Sequence, residues 1–222
     1  MGKRCLVFGG GSDIGTEIVK LLASLGHEVI WTYYNTKRDQ PGLAVKCDIR
    51  APDRVEIDDV FRSFEGEIDV VVTAAFPFLE SGNLNFKGYA AAEEFLRGHV
   101  YIITEAAKRM ARGGRIFNML GQCVERGLPG AAFYAASFAF LHTLGQSING
   151  CEGKQGKLAV CDLLLGPVET REWAGLSNEV VERYRSRVSQ FIKPDQLAKL
   201  IAFLMEQEVM PTTLKLDAYF GL

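Results

Sequence analysis

The chain has no run of the ~20 consecutive apolar residues that a bilayer span requires, so no membrane-crossing helix is expected. Its five cysteines, Cys5, Cys47, Cys123, Cys151 and Cys161, are scattered and odd in number, with no C-x-x-C pair and no histidine at ligand spacing. They read as small buried hydrophobes in a reducing compartment, which excludes a disulfide framework and a zinc site. A surplus of either charge is also lacking. At a formal net charge of -2, with acids and bases interspersed, the chain lacks the footprint of a protein that binds nucleic acid or an anionic membrane. The opening "GKRCLVFG" has an apolar part only a strand long, unlike a signal peptide, and a cytoplasmic location is expected. His27, His99 and His142 have neither metal nor triad spacing and read as surface or core residues. Repeats, low-complexity tracts and linkers are lacking too, so the 222 residues are expected to form one domain.

What is present is alternation. Short apolar runs bounded by Gly or Asp exchange with longer segments of helical period, the pattern of strand–helix–strand units on a parallel sheet. "RCLVFGG" reads as the first strand, and "IGTEIVKLLASLG" as a helix with Ile14, Ile18, Leu21, Leu22 and Leu25 on one face. "HEVIWTYY" and "GLAVKCDI" read as strands two and three, and "PDRVEIDDVFRSF" as a helix with Pro52 in its first turn. "IDVVVTAAF" is the fourth strand, a long helix is expected over 89–110, and "GGRIFNML" is the fifth strand. "AAFYAASFAFLHTLGQSI" follows as a helix, then "KLAVCDLLLG" and "TLKLDAY" as the last two strands. The interval 167–193 breaks the alternation and is expected to lie over the sheet edge as a substrate lid.

"VFGGGSDIG" joins the first strand to the first helix. There, backbone amides and the helix dipole hold a pyrophosphate if no side chain blocks the approach, and Gly9, Gly10, Gly11 and Gly15 leave that approach open. Ser12, Asp13 and Ile14 complete the turn. The end of the second strand reads the adenosine ribose, and "TYYNTKR" offers Tyr34, Asn35, Lys37 and Arg38 with no acid at the strand end. Basic groups there favour a 2′-phosphate, hence NADP over NAD. The other reading of Lys37 and Arg38 is two solvated bases, offset by Asp13 and Asp39.

These motifs, in this order, resemble the short-chain dehydrogenase/reductase family over nearly the whole chain. "GGGSDIG" is similar to that family's Gly-x-x-x-Gly-x-Gly turn, with Asp13 where the middle glycine is usual. "CDIRAPDRV" resembles the segment whose aspartate, here Asp48 beside Ile49, lies near the adenine ring, and "TAAF", with Ala74 and Ala75, resembles the Asn-Asn-Ala-Gly stretch. "LGPVET" resembles the Pro-Gly-x-x-x-Thr stretch by the nicotinamide, giving Gly166, Pro167, Val168 and Thr170. The resemblance implies a three-layer α/β fold, a doubly wound parallel sheet of Rossmann type, with an NAD(P) cofactor and dimers or tetramers formed through the long helices.

Of the four side chains such enzymes use, the resemblance carries over one. The proton-exchanging tyrosine maps to Tyr134. The lysine four residues on maps to Phe138, the serine thirteen residues before the tyrosine to Gly121, and the asparagine of the long helix to Phe95. A lysine one turn away favours a phenolate by Coulomb attraction, whereas an aromatic ring desolvates the phenol and favours its neutral form. Tyr134 is then expected to act as an acid or hydrogen-bond donor, not as a base near pH 7. Tyr134, Phe138, Leu141 and Ile148 also recur at helical spacing and equally describe a packed stripe. Gln122 beside the serine position and Arg171 after Thr170 are candidate helpers. Phe76, Phe78, Phe95, Phe138 and Trp173 suggest a pocket for a ring-bearing or polyketide-like substrate. Three readings stand at this point: an atypical NADP-binding enzyme on a hydrophobic small molecule, an inactive binding or scaffold subunit, and an ordinary NADP-dependent reductase.

Overall fold

The strands form where Val, Ile, Leu and Phe run without alternation, because a parallel strand between two helical layers is buried on both faces. The computed structural model describes residues 2–76, 86–153, 155–176, 178–186, 188 and 190–216. In it β1 (Arg4–Phe8), β2 (Glu28–Tyr33), β3 (Leu43–Lys46), β4 (Ile68–Thr73), β5 (Met110–Gly121), β6 (Leu158–Leu165) and β7 (Thr213–Leu216) make one seven-stranded sheet. Every pairing is parallel, in the order β3-β2-β1-β4-β5-β6-β7. The order reverses direction beside β1, so the sheet is doubly wound, of Rossmann type, with the switch point between β1 and β4.

The helices cover both faces. Helices α1 (Asp13–Ser24) and α7 (Pro194–Leu204) bury Ile18, Val19, Leu22, Leu197 and Ile201 on one side with Val7, Trp31 and Phe117. On the other side α2 (Val55–Arg62), α3 (Phe86–Arg109) and α5 (Ala132–Ile148) bury Ile57, Phe61, Ile102, Phe138 and Leu141 against Leu6, Phe8 and Ile116. Between β5 and α5 lies α4 (Cys123–Arg126), and α6 (Asn178–Arg185) lies in the interval expected to be a lid.

Two boundaries differ from the sequence reading. Helix α2 starts at Val55, so Pro52 lies before it; across the lead-in the Asp48 amide donates to Glu56 and the Asp48 carboxylate accepts from the Arg50 amide, and Asp53 accepts from the Val55 amide. Strand β5 begins at Met110, directly after α3, and α4 is too short to show a period. Of "TLKLDAY", 213–216 is strand and the remainder lies outside the described residues.

Buried polar groups are satisfied in two places. Across the sheet Thr73 Oγ1 donates to Asn118 Oδ1 (3.1 Å), Asn118 Nδ2 to Asp162 Oδ1 (2.8 Å), and His142 Nδ1 lies 2.8 Å from Asp162 Oδ2. At the rim, the buried Glu105 of α3 accepts from Arg109 at 2.8 Å, Lys108 at 3.1 Å and Arg54 at 2.7 Å. The bond to Arg109, helped by Lys108 and Arg54, holds its carboxyl down at about 2. A depressed folded-state pKa stabilises the fold above the unfolded value, and that contribution is lost as pH falls from about 4.5 towards 2. Glu105→Gln is therefore expected to lower the denaturation midpoint at pH 7 and to flatten its decline between pH 4.5 and 2, as read by circular dichroism across that range.

Candidate functional site

Parallel register brings the carboxyl ends of four strands to one edge. Phe8 lies opposite Thr73, Thr73 opposite Asn118 and Gly121 opposite Leu165, so the segments that follow β1, β4, β5 and β6 share that edge. Each carries part of the site expected from the sequence.

The glycine turn is built for close backbone approach. Gly9 has φ 79°, and a Cβ on it would fall 2.5 Å from Ala74 O. A Cβ on Gly15 would lie 2.1 Å from Gly9 O, and one on Gly10 would lie 2.5 Å from Trp31 Cβ. Ser12 Oγ accepts from Gly15 N at 3.0 Å and caps α1, whose first-turn amides have no partner within the helix. Ile14 packs into the core under the turn. The turn thus fits a pyrophosphate in backbone geometry. Asp13 places a carboxylate at the same helix end, where it accepts from Arg38 Nη2 (2.8 Å), from Arg171 Nε (2.8 Å) and from the Arg171 amide (2.7 Å).

Beyond β2 the candidates separate. Tyr34, Asn35 and Lys37 are exposed, whereas Arg38 folds back and donates from Nε to Gly11 O at 2.8 Å. Asp48 is gripped by Arg50 through both carboxylate oxygens, at 2.8 and 2.9 Å, which holds its carboxyl below the usual carboxylate range. The Arg50 guanidinium lies over the Tyr34 ring at 4.4 Å and near Phe95 at 5.6 Å. Arg50 escaped the sequence reading, although its place two residues after Asp48 was a usable signal. Ile49 is buried, and its carbonyl lies against Gly98, where a Cβ would approach to 2.1 Å. Ala74 donates its amide to Phe8 O at 2.8 Å, and Ala75 joins the core beside it.

At the positions that the resemblance assigns to catalysis an aromatic cluster stands. Tyr134 and Phe138, one turn apart on α5, have centroids 4.4 Å apart, and Phe76 meets Tyr134 edge-on at 5.6 Å and Phe138 at 4.8 Å. Phe76 also packs on Phe95 at 5.3 Å and on His99 at 5.2 Å. Phe138 is only 2% exposed, so it fills the cluster and does not line a pocket. Its ring reaches Gly121, where a Cβ would meet Phe138 Cε2 at 3.2 Å and Cys123 Sγ at 3.2 Å. The ring at 138 thus lies against the backbone at 121. His99 is a core residue: burial pushes it down to about 4, so it is neutral, and its Nδ1 bonds to Phe95 O at 2.9 Å.

The remaining candidates have defined partners. Gln122 Nε2 donates to Leu216 O at 2.9 Å, and burial pushes the Cys123 thiol up to about 11, which keeps it protonated. Gly166 donates to Leu216 O (3.0 Å), Pro167 O accepts from Ile192 N (2.9 Å), and Val168 bridges Ile192, so the stretch up to Thr170 is pinned to the segment at Ile192. Trp173 stacks on Phe191 at 4.7 Å and donates to Val168 O, apart from the aromatic cluster, and Phe78 lies outside the described residues. A cleft of about 360 Å³ is lined by Glu169, Arg185, Val188, Gln190 and Phe191, none of which belongs to the cluster. Among the described residues no group of three His, Cys, Asp or Glu side chains could hold a metal ion, and no helix is long and apolar enough to cross a membrane.

A family model described as enoyl-(acyl carrier protein) reductase matches residues 9–214, from the glycine turn into the last strand. The chain belongs to the short-chain dehydrogenase/reductase family. Among curated short-chain dehydrogenase/reductase relatives, carbonyl reductase family member 4 of Danio rerio is 27% identical over 222 residues, covering 93% of this chain and 92% of its own. Tetrahydroxynaphthalene reductase of Pyricularia oryzae is 26% identical over 253 residues, covering 93% of this chain and 84% of its own. A solved short-chain dehydrogenase of Burkholderia cenocepacia in complex with NADP is 27% identical, with a TM-score of 0.85 over 99% of this chain and 98% of that one. Nicotinamide cofactors are therefore found on this fold among its relatives.

Proposed function

We propose that this short-chain dehydrogenase/reductase binds NADPH at its glycine turn and acts on a hydrophobic, ring-bearing small molecule without the family's Ser-Tyr-Lys apparatus. The observation that carries this is the Phe138 ring, which packs on Tyr134 and abuts Gly121. In this reading the nucleotide is held by the turn from Gly9 to Gly15, by Asp48 and Ile49 near the adenine, by Ala74 and Ala75, and by Gly166 to Thr170. Lys37 and Arg38 favour the 2′-phosphate form, as does the NADP complex of the Burkholderia relative. When bound, NADPH would supply a hydride. The chain's own part is to orient the substrate against the aromatic surface of Phe76 and Phe95 and, through the Tyr134 hydroxyl, to donate a hydrogen bond or a proton to the substrate oxygen. With no serine at 121 that oxygen has one protein donor fewer, a loss on the order of 100-fold in rate, so slow turnover is expected.

The relative named for tetrahydroxynaphthalene supports an aromatic substrate class. The test is NADPH oxidation with a panel of fused-ring ketones. Turnover that falls at least tenfold in Tyr134→Phe supports the role given to that hydroxyl, and turnover unchanged by the substitution removes it.

A second reading, an inactive binding subunit, is favoured by the same contact, since the side chain of a catalytic serine at 121 would press on the Phe138 ring. In either reading the chain pairs with a second copy. Phe140 is 50% exposed on α5, beside an apolar hollow of about 460 Å³ lined by Ala139, Thr143, Leu144 and Ser147. Wild-type protein is expected to elute as a dimer or tetramer and Phe140→Asp as a smaller species, with mass read by light scattering.

A further inference from the structure

Asp13 stands where the rest of the turn calls for glycine, and its carboxylate joins three segments that are remote in sequence. From α1 it reaches Arg38, beyond β2, and Arg171, the first residue after the Gly166–Thr170 stretch. Arg171 is bound twice, through its backbone amide at 2.7 Å and its Nε at 2.8 Å. Arg38 adds a bond to Gly11 O, and Glu172 lies close enough that burial and the Asp13 charge together raise its carboxyl pKa. The two cations best placed to meet a nucleotide's phosphates at this edge are thus held by an internal anion at the helix end where a phosphate would sit.

We propose that Asp13 is a gatekeeper of the nucleotide seat, an internal anion whose two arginines a phosphorylated ligand must take over in order to bind. This rests on the NADPH reading given above. The exchange is feasible because the latch is half open to water. Asp13 and Arg38 have 19% and 22% of their side-chain surface exposed, but Arg171 has 73%, so solvent screens its pair and the guanidinium can turn to a new partner. A phosphate offers both arginines the bidentate geometry that one shared carboxylate divides between them. The pyrophosphate that NADPH and NADH share brings two negative charges to this corner, against the single charge of the Asp13 carboxylate, so it takes over both arginines with a gain. The carboxylate therefore opposes either nucleotide, and NADPH most, since its extra phosphate brings further negative charge, and its displacement frees the segment from Arg171 onward.

The test is equilibrium titration of wild type, Asp13→Gly, Asp13→Asn and Arg171→Gln with NADPH and NADH, together with hydrogen exchange of the amides of 171–176 in the protein alone. Asp13→Gly is expected to bind NADPH at least tenfold more tightly than wild type, with a smaller gain for NADH, and Asp13→Asn to fall between. Arg171→Gln is expected to bind NADPH more weakly, yet both it and Asp13→Gly should exchange faster at 171–176. Opposite effects on binding with the same effect on that segment are a signature that a merely structural cap on α1 does not give. If wild type binds NADPH and Asp13→Gly and Asp13→Asn bind it no more tightly, the gatekeeper role is overturned and the NADPH reading stands. If neither wild type nor any variant binds either nucleotide, the NADPH reading falls and the gatekeeper role with it.

Discussion

Replacing Phe138 with alanine is expected to lower stability by about 3–5 kcal/mol, because it removes a buried ring that nothing nearby can replace. The ring is almost wholly buried, touches Tyr134 and Phe76, and supports the backbone at Gly121. For a domain of this size the loss corresponds to a fall of roughly 10 °C in Tm, read by circular dichroism. Phe138→Lys, which restores the family residue, is expected to be worse, since an ammonium would enter a cluster of Phe76, Phe95 and neutral His99 with no acid named among its contacts. Gly121→Ser should also destabilise by overpacking against Phe138, about 1–3 kcal/mol, and the two changes should be non-additive. In the pair Gly121→Ser with Phe138→Ala, the serine side chain occupies space that the ring vacates, so the double variant should be more stable than the sum of the singles implies. A Phe138→Lys protein as stable as wild type would show the cluster to be no more than a surface stripe.

Gly15→Ala is expected to abolish nucleotide binding, weakening NADPH by at least about 100-fold, because the added methyl would fall 2.1 Å from Gly9 O and 2.7 Å from Gly10 Cα. Both neighbours are backbone, so relief means reshaping the turn that approaches the pyrophosphate. Gly150→Ala is the control. That glycine has open space around its Cβ direction and an ordinary φ, and its replacement should change neither binding nor melting.

The fold was legible because its signals are local. The strands of a parallel sheet need uninterrupted apolar runs, and β1, β4 and β6 have them; α1 and α5 show a stripe of helical period. What escaped was set by non-local or very short-range geometry. α4 is four residues long, too short to show a period, and the start of α2 depends on how Asp48 bonds to Arg50 and Glu56. At the site, the relation between Tyr134 and Phe138 was readable because one helical turn separates them. Phe76 and His99 joined the same cluster by tertiary packing, which no spacing records. The Asp13 latch was legible only in part: its offset of Arg38 was expected, its hold on Arg171 was not. Its partners lie 25 and 158 residues away in sequence, and Asp13 alone looked like a departure from a glycine pattern. The substitutions mark where local rules give way at a functional edge.

The most direct measurement is equilibrium titration of the purified protein with NADPH and with NADH, followed by nicotinamide fluorescence. The account predicts saturable binding of NADPH, tighter than that of NADH, and its loss in Gly15→Ala. Saturation by neither nucleotide, in a protein that melts cooperatively, would contradict it.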